Sequence, residues 1–241
     1  MGLVLASLAA LGNLLGGLLI GARARWSRLM LRVFVAVGAG FLLCVALLRM
    51  LPEALELTPS FAMPLVVTGY FLTHLFEHTL VRHFHFGEET HTEVVQGASS
   101  AAATFGLGLH SFFDGVSIAV GFTVSPALGW LVFGAIALHK LPEGFTIASI
   151  VRAAGGSRRR AIAASALVGA ACILGALLLE GRERWAGIGL ALATGVTIYV
   201  AATDLVPEVN KEIGHHLSLT VLGGVALYLL ASWALGLAGL S

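Results

Sequence analysis

The chain has 241 residues, of which 58% are hydrophobic and 11% are charged, and its mean hydropathy is +0.93. Because a soluble globular domain carries about 25% charged residues, this composition excludes an ordinary soluble protein and predicts an all-α polytopic membrane protein. A formal net charge of +1 leaves no basic surface for nucleic acid, so the expected surroundings are the lipid bilayer.

Eight apolar stretches are long enough, at about 20 residues each, to cross the hydrocarbon core of a bilayer as helices. In chain order these predicted spans, numbered one to eight, are 2–22, 33–57, 61–82, 98–121, 127–151, 161–180, 186–209 and 217–239. Residues 1–241 therefore form a single transmembrane domain, with one histidine-containing loop at 83–97 on the cytoplasmic side.

The basic side chains between the spans are distributed unequally across the membrane. If the N-terminus lies outside, ten of the 14 Lys and Arg residues fall in inner loops, and the outer loops hold only Arg182 and Arg184. The ten are Arg23, Arg25, Arg28, Arg32, Arg82, Arg152, Arg158, Arg159, Arg160 and Lys211. The positive-inside rule then places both termini outside. Short loops, and a first span without the positive start of a signal peptide, favour a bacterial plasma membrane.

Span one carries a face of small residues, Gly12, Gly16 and Gly17, which suits close packing of helices. Such faces permit a homodimer without requiring one.

Spans two and seven share a Pro-Glu motif, in Leu51-Pro52-Glu53 and Val206-Pro207-Glu208. A proline frees a carbonyl one turn earlier, so each motif combines a kink, an exposed backbone oxygen and a carboxylate. This combination suits a hydrated cation path, to which Asp204 would add a further carboxylate. The alternative is that the prolines end these spans and the carboxylates are solvated.

Span three and the loop after it contain further metal-capable side chains. Glu77 lies late in span three, and His83, His85 and His91 follow in the loop together with several carboxylates. The loop is either a cytoplasmic metal-binding segment or a solvated linker.

Spans four and five each contain a histidine and an acidic residue four positions apart, His110 with Asp114 and His139 with Glu143. This spacing puts both side chains of a pair on one helix face, so the pairs converge if the two helices pack face to face. An ionisable group inside a membrane costs about 2.5–3.5 kcal/mol even on the lenient insertion scale, which favours a function over simple packing. Two imidazoles and two carboxylates suit Zn²⁺ and are compatible with Fe²⁺, Mn²⁺ and Cd²⁺.

The segments that contain these two His/acid pairs resemble those of a known family. HSFFDGVSIAVG on span four and HKLPEGFTIAS on span five are similar to the metal-binding signature helices of the ZIP family of divalent-metal transporters. The resemblance extends to LPEA at 51–54, to Glu77, to the histidine-bearing loop and to YVAATDLVPE at 199–208, and so covers essentially the whole chain.

The resemblance implies a 3+2+3 arrangement, in which spans one to three and six to eight are inverted repeats around spans four and five. It also implies import of Zn²⁺ toward the cytoplasm by alternating access through the four-residue site. Glu53 would then recruit cations at the outer mouth, and Glu208 with Asp204 would receive them at the inner mouth.

Ser111 and Lys140, the residues next to the two histidines, depart from the family pattern. Many relatives hold two adjacent metals there, bridged by the carboxylates, and Lys140 puts an ammonium where the second metal would lie. Two positive charges about 4 Å apart repel by ~4 kcal/mol at an effective dielectric constant of 20. We therefore expect a mononuclear site, in which Lys140 pairs with Asp114 or Glu143. The alternative is a Lys140 side chain that snorkels elsewhere.

Two other classes of protein remain open: an intramembrane zinc-dependent hydrolase, with an open metal position that activates water, and a metal-sensing receptor without flux. No phosphate loop of the G-x-x-x-x-G-K-[ST] kind occurs in the sequence. Transport would therefore be passive or coupled to an ion gradient. Four near-symmetric ligands that would close a tetrahedral site, and carboxylates at both mouths, argue against the hydrolase, so we expect a transporter and not an enzyme.

Overall fold

The computed structural model describes residues 1–19, 28–79, 97–210 and 215–239. Every regular element in these ranges is helical, and we number the long helices one to eight in chain order. Helices one, three, four, five, six and eight are Gly2–Leu19, Ala62–Thr79, Gly97–Val124, Pro126–Ala153, Arg158–Leu179 and His215–Leu237. Helix two is α-helical over Arg28–Val45 and Leu51–Leu57, with the π-helical turn Ala46–Met50 between them. Helix seven consists of the 3-10 turn Glu183–Trp185, the α-helix Ala186–Tyr199, the π-helical turn Val200–Leu205 and the α-helix Val206–Asn210.

The all-α polytopic membrane architecture predicted from composition is confirmed. Among the described residues, seven helices are long and apolar enough to cross a membrane. Helix three, Ala62–Thr79, is not among these seven; it is counted over Ala62–Phe76 as a shorter apolar helix, since the side chain of Glu77 is not described. The count of eight membrane crossings stays a prediction.

The helices pack in two groups. Helices one, four, five and six contact one another, and we call them the site group, because they contain the metal-capable residues of spans four and five. Helices two, three, seven and eight form the second group, in which helix three packs on seven and helix two on eight. Helix five against helix two, and helix four against helix seven, join the groups.

This pattern of neighbours has the symmetry that an inverted repeat requires. An inverted repeat relates helix one to six, two to seven, three to eight and four to five. This exchange converts the packed pair of helices three and seven into the pair of helices eight and two, which is also packed. The same exchange converts the one–five pair into the six–four pair, which is also packed. The packing is thus compatible with the 3+2+3 arrangement.

Glycines let the helices of the site group touch backbone to backbone. A Cβ atom added at Gly16 would collide with the Leu141 carbonyl of helix five, and one added at Gly144 would collide with the Asn13 carbonyl of helix one. Gly17 likewise lies against the side chain of Ser165 in helix six. The glycine face predicted on span one is therefore used inside the chain.

The prolines of helices two and seven do not end them. Helix two continues past Pro52 to Leu57, and helix seven continues past Pro207. In both, the residue before the proline donates its N–H to the carbonyl five residues earlier, Leu51 to Ala46 and Val206 to Ala201. The helix widens into a π-helical turn there instead of stopping.

Candidate metal centre

Four metal-capable side chains converge in the middle of the site group. One ligand atom from each of His110, Asp114, His139 and Glu143 lies within 4.8 Å of the corresponding atoms of the other three. All four residues are buried, with exposed fractions from 0% for Glu143 to 7% for His110. The predicted convergence of the two His/acid pairs is thus what the packing of helices four and five produces.

The two imidazoles face a single carboxylate oxygen. Asp114 Oδ2 lies 3.3 Å from His110 Nε2 and 3.4 Å from His139 Nε2. His139 Nδ1 lies 3.1 Å from the carbonyl of Ala135, one turn earlier. If Nδ1–H donates to this carbonyl, Nε2 is unprotonated and keeps its lone pair. A histidine in this tautomer binds a metal through Nε2.

Lys140 reaches the same carboxylates from helix five. Its Nζ lies 2.7 Å from Asp114 Oδ2 and 2.7 Å from Glu143 Oε2, and it donates to Ser111 Oγ at 2.8 Å. The Lys140 side chain is fully buried, so the snorkelling alternative does not describe this geometry. The sequence predicted a pair with either carboxylate, and the ammonium contacts both.

One polar residue at the site was missed by the sequence analysis. Asn13 of helix one is fully buried, and its Nδ2 donates to Glu143 Oε1 at 3.4 Å. A signal existed, because Asn13 is the one carboxamide in an apolar span, and polar groups in membrane helices are often functional. No histidine or acidic residue lies four positions away on its own helix, so the i,i+4 pattern that marks the other four residues does not mark Asn13.

The carboxylates expected along the path lie outside this cluster, as far as the structure describes them. Glu53 is half-buried just after Pro52, and Asp204 is buried in the π-helical turn of helix seven, where Thr203 Oγ1 donates to its Oδ1 at 3.2 Å. Arg49 lies beside the Tyr228 hydroxyl. No ion pair within 4.0 Å joins Arg49 to Glu53 in the described part of the chain.

Several predicted residues cannot be placed by their side chains. Glu77 and Glu208 lie on helices three and seven, but their side chains fall outside the described part of the structure. The loop candidates His83, His85 and His91 lie wholly outside the described residues.

Comparisons with known proteins match the chain to metal transporters. The family model "ZIP Zinc transporter" matches residues 88–232. The zinc transporter foi of Drosophila melanogaster is 31% identical over 136 residues, which is 52% of this chain and 19% of that protein. The metal cation symporter ZIP14 of Mus musculus is 35% identical over 106 residues, 43% of this chain and 22% of that protein. The zinc transporter SLC39A7 of Rattus norvegicus is 34% identical over 139 residues, 50% of this chain and 29% of that protein. The matched part thus spans less than a third of the length of each relative.

Proposed function

Because the chain belongs to the ZIP zinc transporter family, we propose that it carries Zn²⁺ across a membrane through His110, Asp114, His139 and Glu143. The observation that carries this proposal is the burial of four metal-capable side chains around one point in a membrane protein. The nitrogen and oxygen ligands also suit Fe²⁺, Mn²⁺ and Cd²⁺. The relatives are named as zinc transporters and a metal cation symporter, which agrees with a divalent cation as substrate.

We propose that the site holds one metal ion at a time. Two carboxylates and the Lys140 ammonium give the cluster a charge of −1 when both imidazoles are neutral. One divalent ion changes this to +1, and a second would raise it to +3 in a buried site, where uncompensated charge is costly. Lys140 therefore takes the place that a second cation would need.

Transport proceeds in this proposal by alternating access, in which the site group moves against the second group. The metal enters from the outer side past Glu53 and leaves on the inner side past Asp204 and Glu208. Glu77 is a further path residue in this proposal, and the loop histidines His83, His85 and His91 form a cytoplasmic metal-binding segment.

The direction of transport is inward in this proposal, and the membrane is a bacterial plasma membrane. The basic residues support the orientation that this proposal assumes, with both termini outside, because they are concentrated in the loops that then lie inside. A homodimer would need a face other than the glycine face of helix one, which helices five and six already cover.

Zinc flux into sealed proteoliposomes that enclose a zinc-sensitive dye tests the function. The variant His110→Ala/His139→Ala removes both imidazoles but leaves Lys140 its carboxylate partners, so it avoids an unpaired buried charge. We expect flux from the native chain and none from this variant. Thr194→Val is the matched control, since Thr194 is buried in helix seven and its hydroxyl donates to the carbonyl of Leu190 in its own helix.

Failure of the correctly inserted native chain to move any divalent metal would overturn the proposal. An intramembrane hydrolase would instead turn over a peptide or lipid without flux. The site gives that alternative little support, because four protein ligands together close a tetrahedral shell. A receptor would bind metal and likewise give no flux.

A further inference from the structure

Asn13 brings a carboxamide from helix one to the edge of the metal cluster. It is fully buried, and its backbone carbonyl contacts Gly144 at the crossing of helices one and five. This crossing holds the Asn13 side chain beside Glu143, whose Oε1 accepts from Nδ2 at 3.4 Å. The other oxygen of Glu143, Oε2, faces Lys140 and His139.

The orientation of this carboxamide follows from its neighbour. A carboxylate accepts hydrogen bonds and a carbonyl oxygen cannot donate one, so Nδ2 must face Glu143 and Oδ1 must point away from that oxygen. Among the described residues, Asn13 Oδ1 has no hydrogen-bond partner, although the atom is buried. A buried acceptor without a partner costs about 1–3 kcal/mol, and this one shares a carbon with the atom that touches the site.

We propose that Asn13 is a fifth ligand residue, which binds the transported cation through Oδ1 while Nδ2 holds Glu143 in place. This inference rests on the proposed metal transport. The carboxamide is neutral, so it adds an oxygen ligand without changing the charge of the site. Such an oxygen raises the coordination number above the four that Zn²⁺ prefers, and it favours harder ions such as Mn²⁺.

Helix one lies in the site group together with helices four and five. A ligand from helix one therefore stays with the other four if the site group moves as a unit. Asn13 thus sets metal preference throughout the transport cycle, not only at one mouth.

Visible absorption of the Co²⁺-loaded protein tests this assignment, because cobalt bands are weak in five-coordinate sites and several-fold stronger in four-coordinate ones. We expect weak bands from the native protein and stronger bands from Asn13→Leu, which keeps the branching and number of side-chain heavy atoms but has no polar atoms. Asn13→Asp keeps an oxygen but loses the N–H donor, and it should retain the weak bands. Thr194→Val is again the control and should match the native protein.

Metal affinities give a second, independent readout. In Asn13→Leu we expect the Kd for Mn²⁺ to rise about tenfold or more, and the Kd for Zn²⁺ to rise less. If Asn13→Leu does not insert, Asn13→Ala takes its place in both measurements.

Native cobalt bands and an unchanged ratio of Mn²⁺ to Zn²⁺ affinity in these variants would overturn the inference, even if thermal stability fell. Asn13 would then only pack helix one against helix five. If the native protein itself bound no cobalt, zinc or manganese, the proposed function would fail instead, so the two failures are distinguishable.

Discussion

Lys140 places an ammonium group between two carboxylates that could otherwise both bind metal. Its Nζ contacts Asp114, Glu143 and Ser111 at 2.7–2.8 Å, and all three partners are buried. In the proposed function, an incoming cation must share the carboxylates with this ammonium, and we expect this to weaken cation binding. Weak binding is useful for a transported ion, because release must follow capture.

Replacing Lys140 by methionine removes the ammonium and keeps a side chain of similar length. We expect the native protein to bind one zinc ion per chain and Lys140→Met to bind two, because the freed carboxylates can bridge a second ion. Elemental analysis of purified protein after gel filtration at neutral pH measures this ratio. The control Thr194→Val should hold one ion, and two tightly bound ions with Lys140 intact would contradict the mononuclear proposal.

The sequence predicted the convergence of the two His/acid pairs because the i,i+4 spacing fixes which side chains share a helix face. It could not predict that Lys140 contacts both carboxylates, since that depends on the distance between helices four and five. It also could not single out Asn13, whose role depends on how helix one crosses helix five. Spacing along one helix is encoded locally, whereas contacts between helices depend on packing of the whole site group.

At the scale of single helices, glycines decide how closely the site is enclosed. Gly16 of helix one has no room for a side chain against the Leu141 carbonyl. At Gly108 of helix four, by contrast, an added Cβ would meet no other element of the described chain within 4 Å. The two positions therefore form a matched pair for testing this packing.

Gly16→Ala should destabilise the protein, because overpacking at a close crossing costs about 1–3 kcal/mol. Gly108→Ala should leave stability unchanged or raise it, since alanine favours a helix by about 1 kcal/mol over glycine. Thermal unfolding in detergent measures both, and we expect a fall of several degrees only for Gly16→Ala. Equal melting temperatures for the two variants would contradict the close crossing of helices one and five.

Hydropathy predicted most of the helices well, since each apolar run in the described chain lies on a helix. It could not predict the π-helical turns of helices two and seven. They depend on how the chain accommodates the missing N–H of Pro52 and Pro207, and hydropathy does not register that. The sequence alone therefore left open whether these prolines end their spans, and in the structure both helices continue past them.

At the scale of the whole molecule, the contact between helices two and five joins the two groups. A Cβ atom added at Gly38 of helix two would lie 3.6 Å from Leu138 Cβ of helix five. This separation lies within the 3.5–4.5 Å range that a disulfide spans between Cβ atoms. The position thus allows the groups to be locked together.

The double variant Gly38→Cys/Leu138→Cys, in a background where Cys44 and Cys172 are alanine, should form this disulfide. We expect oxidation to abolish zinc flux, because the site group can no longer move, and reduction to restore it. Zinc binding in detergent should persist in the oxidised protein. Full flux through a protein shown by mass spectrometry to be cross-linked would contradict movement between the groups.

Division into two groups could not be predicted from the sequence. Neighbouring helices along the chain, such as helices one and two, belong to different groups, so the order of spans gives no guide to their packing.

The two π-helical turns give helices two and seven the same local register. In both, the widened hydrogen bond closes at the residue just before the proline, and the exchange of helices described for the repeat converts one helix into the other. Glu53 and Glu208 each directly follow that proline. The two carboxylates therefore occupy equivalent positions in the two halves of the chain, each just beyond a widened turn.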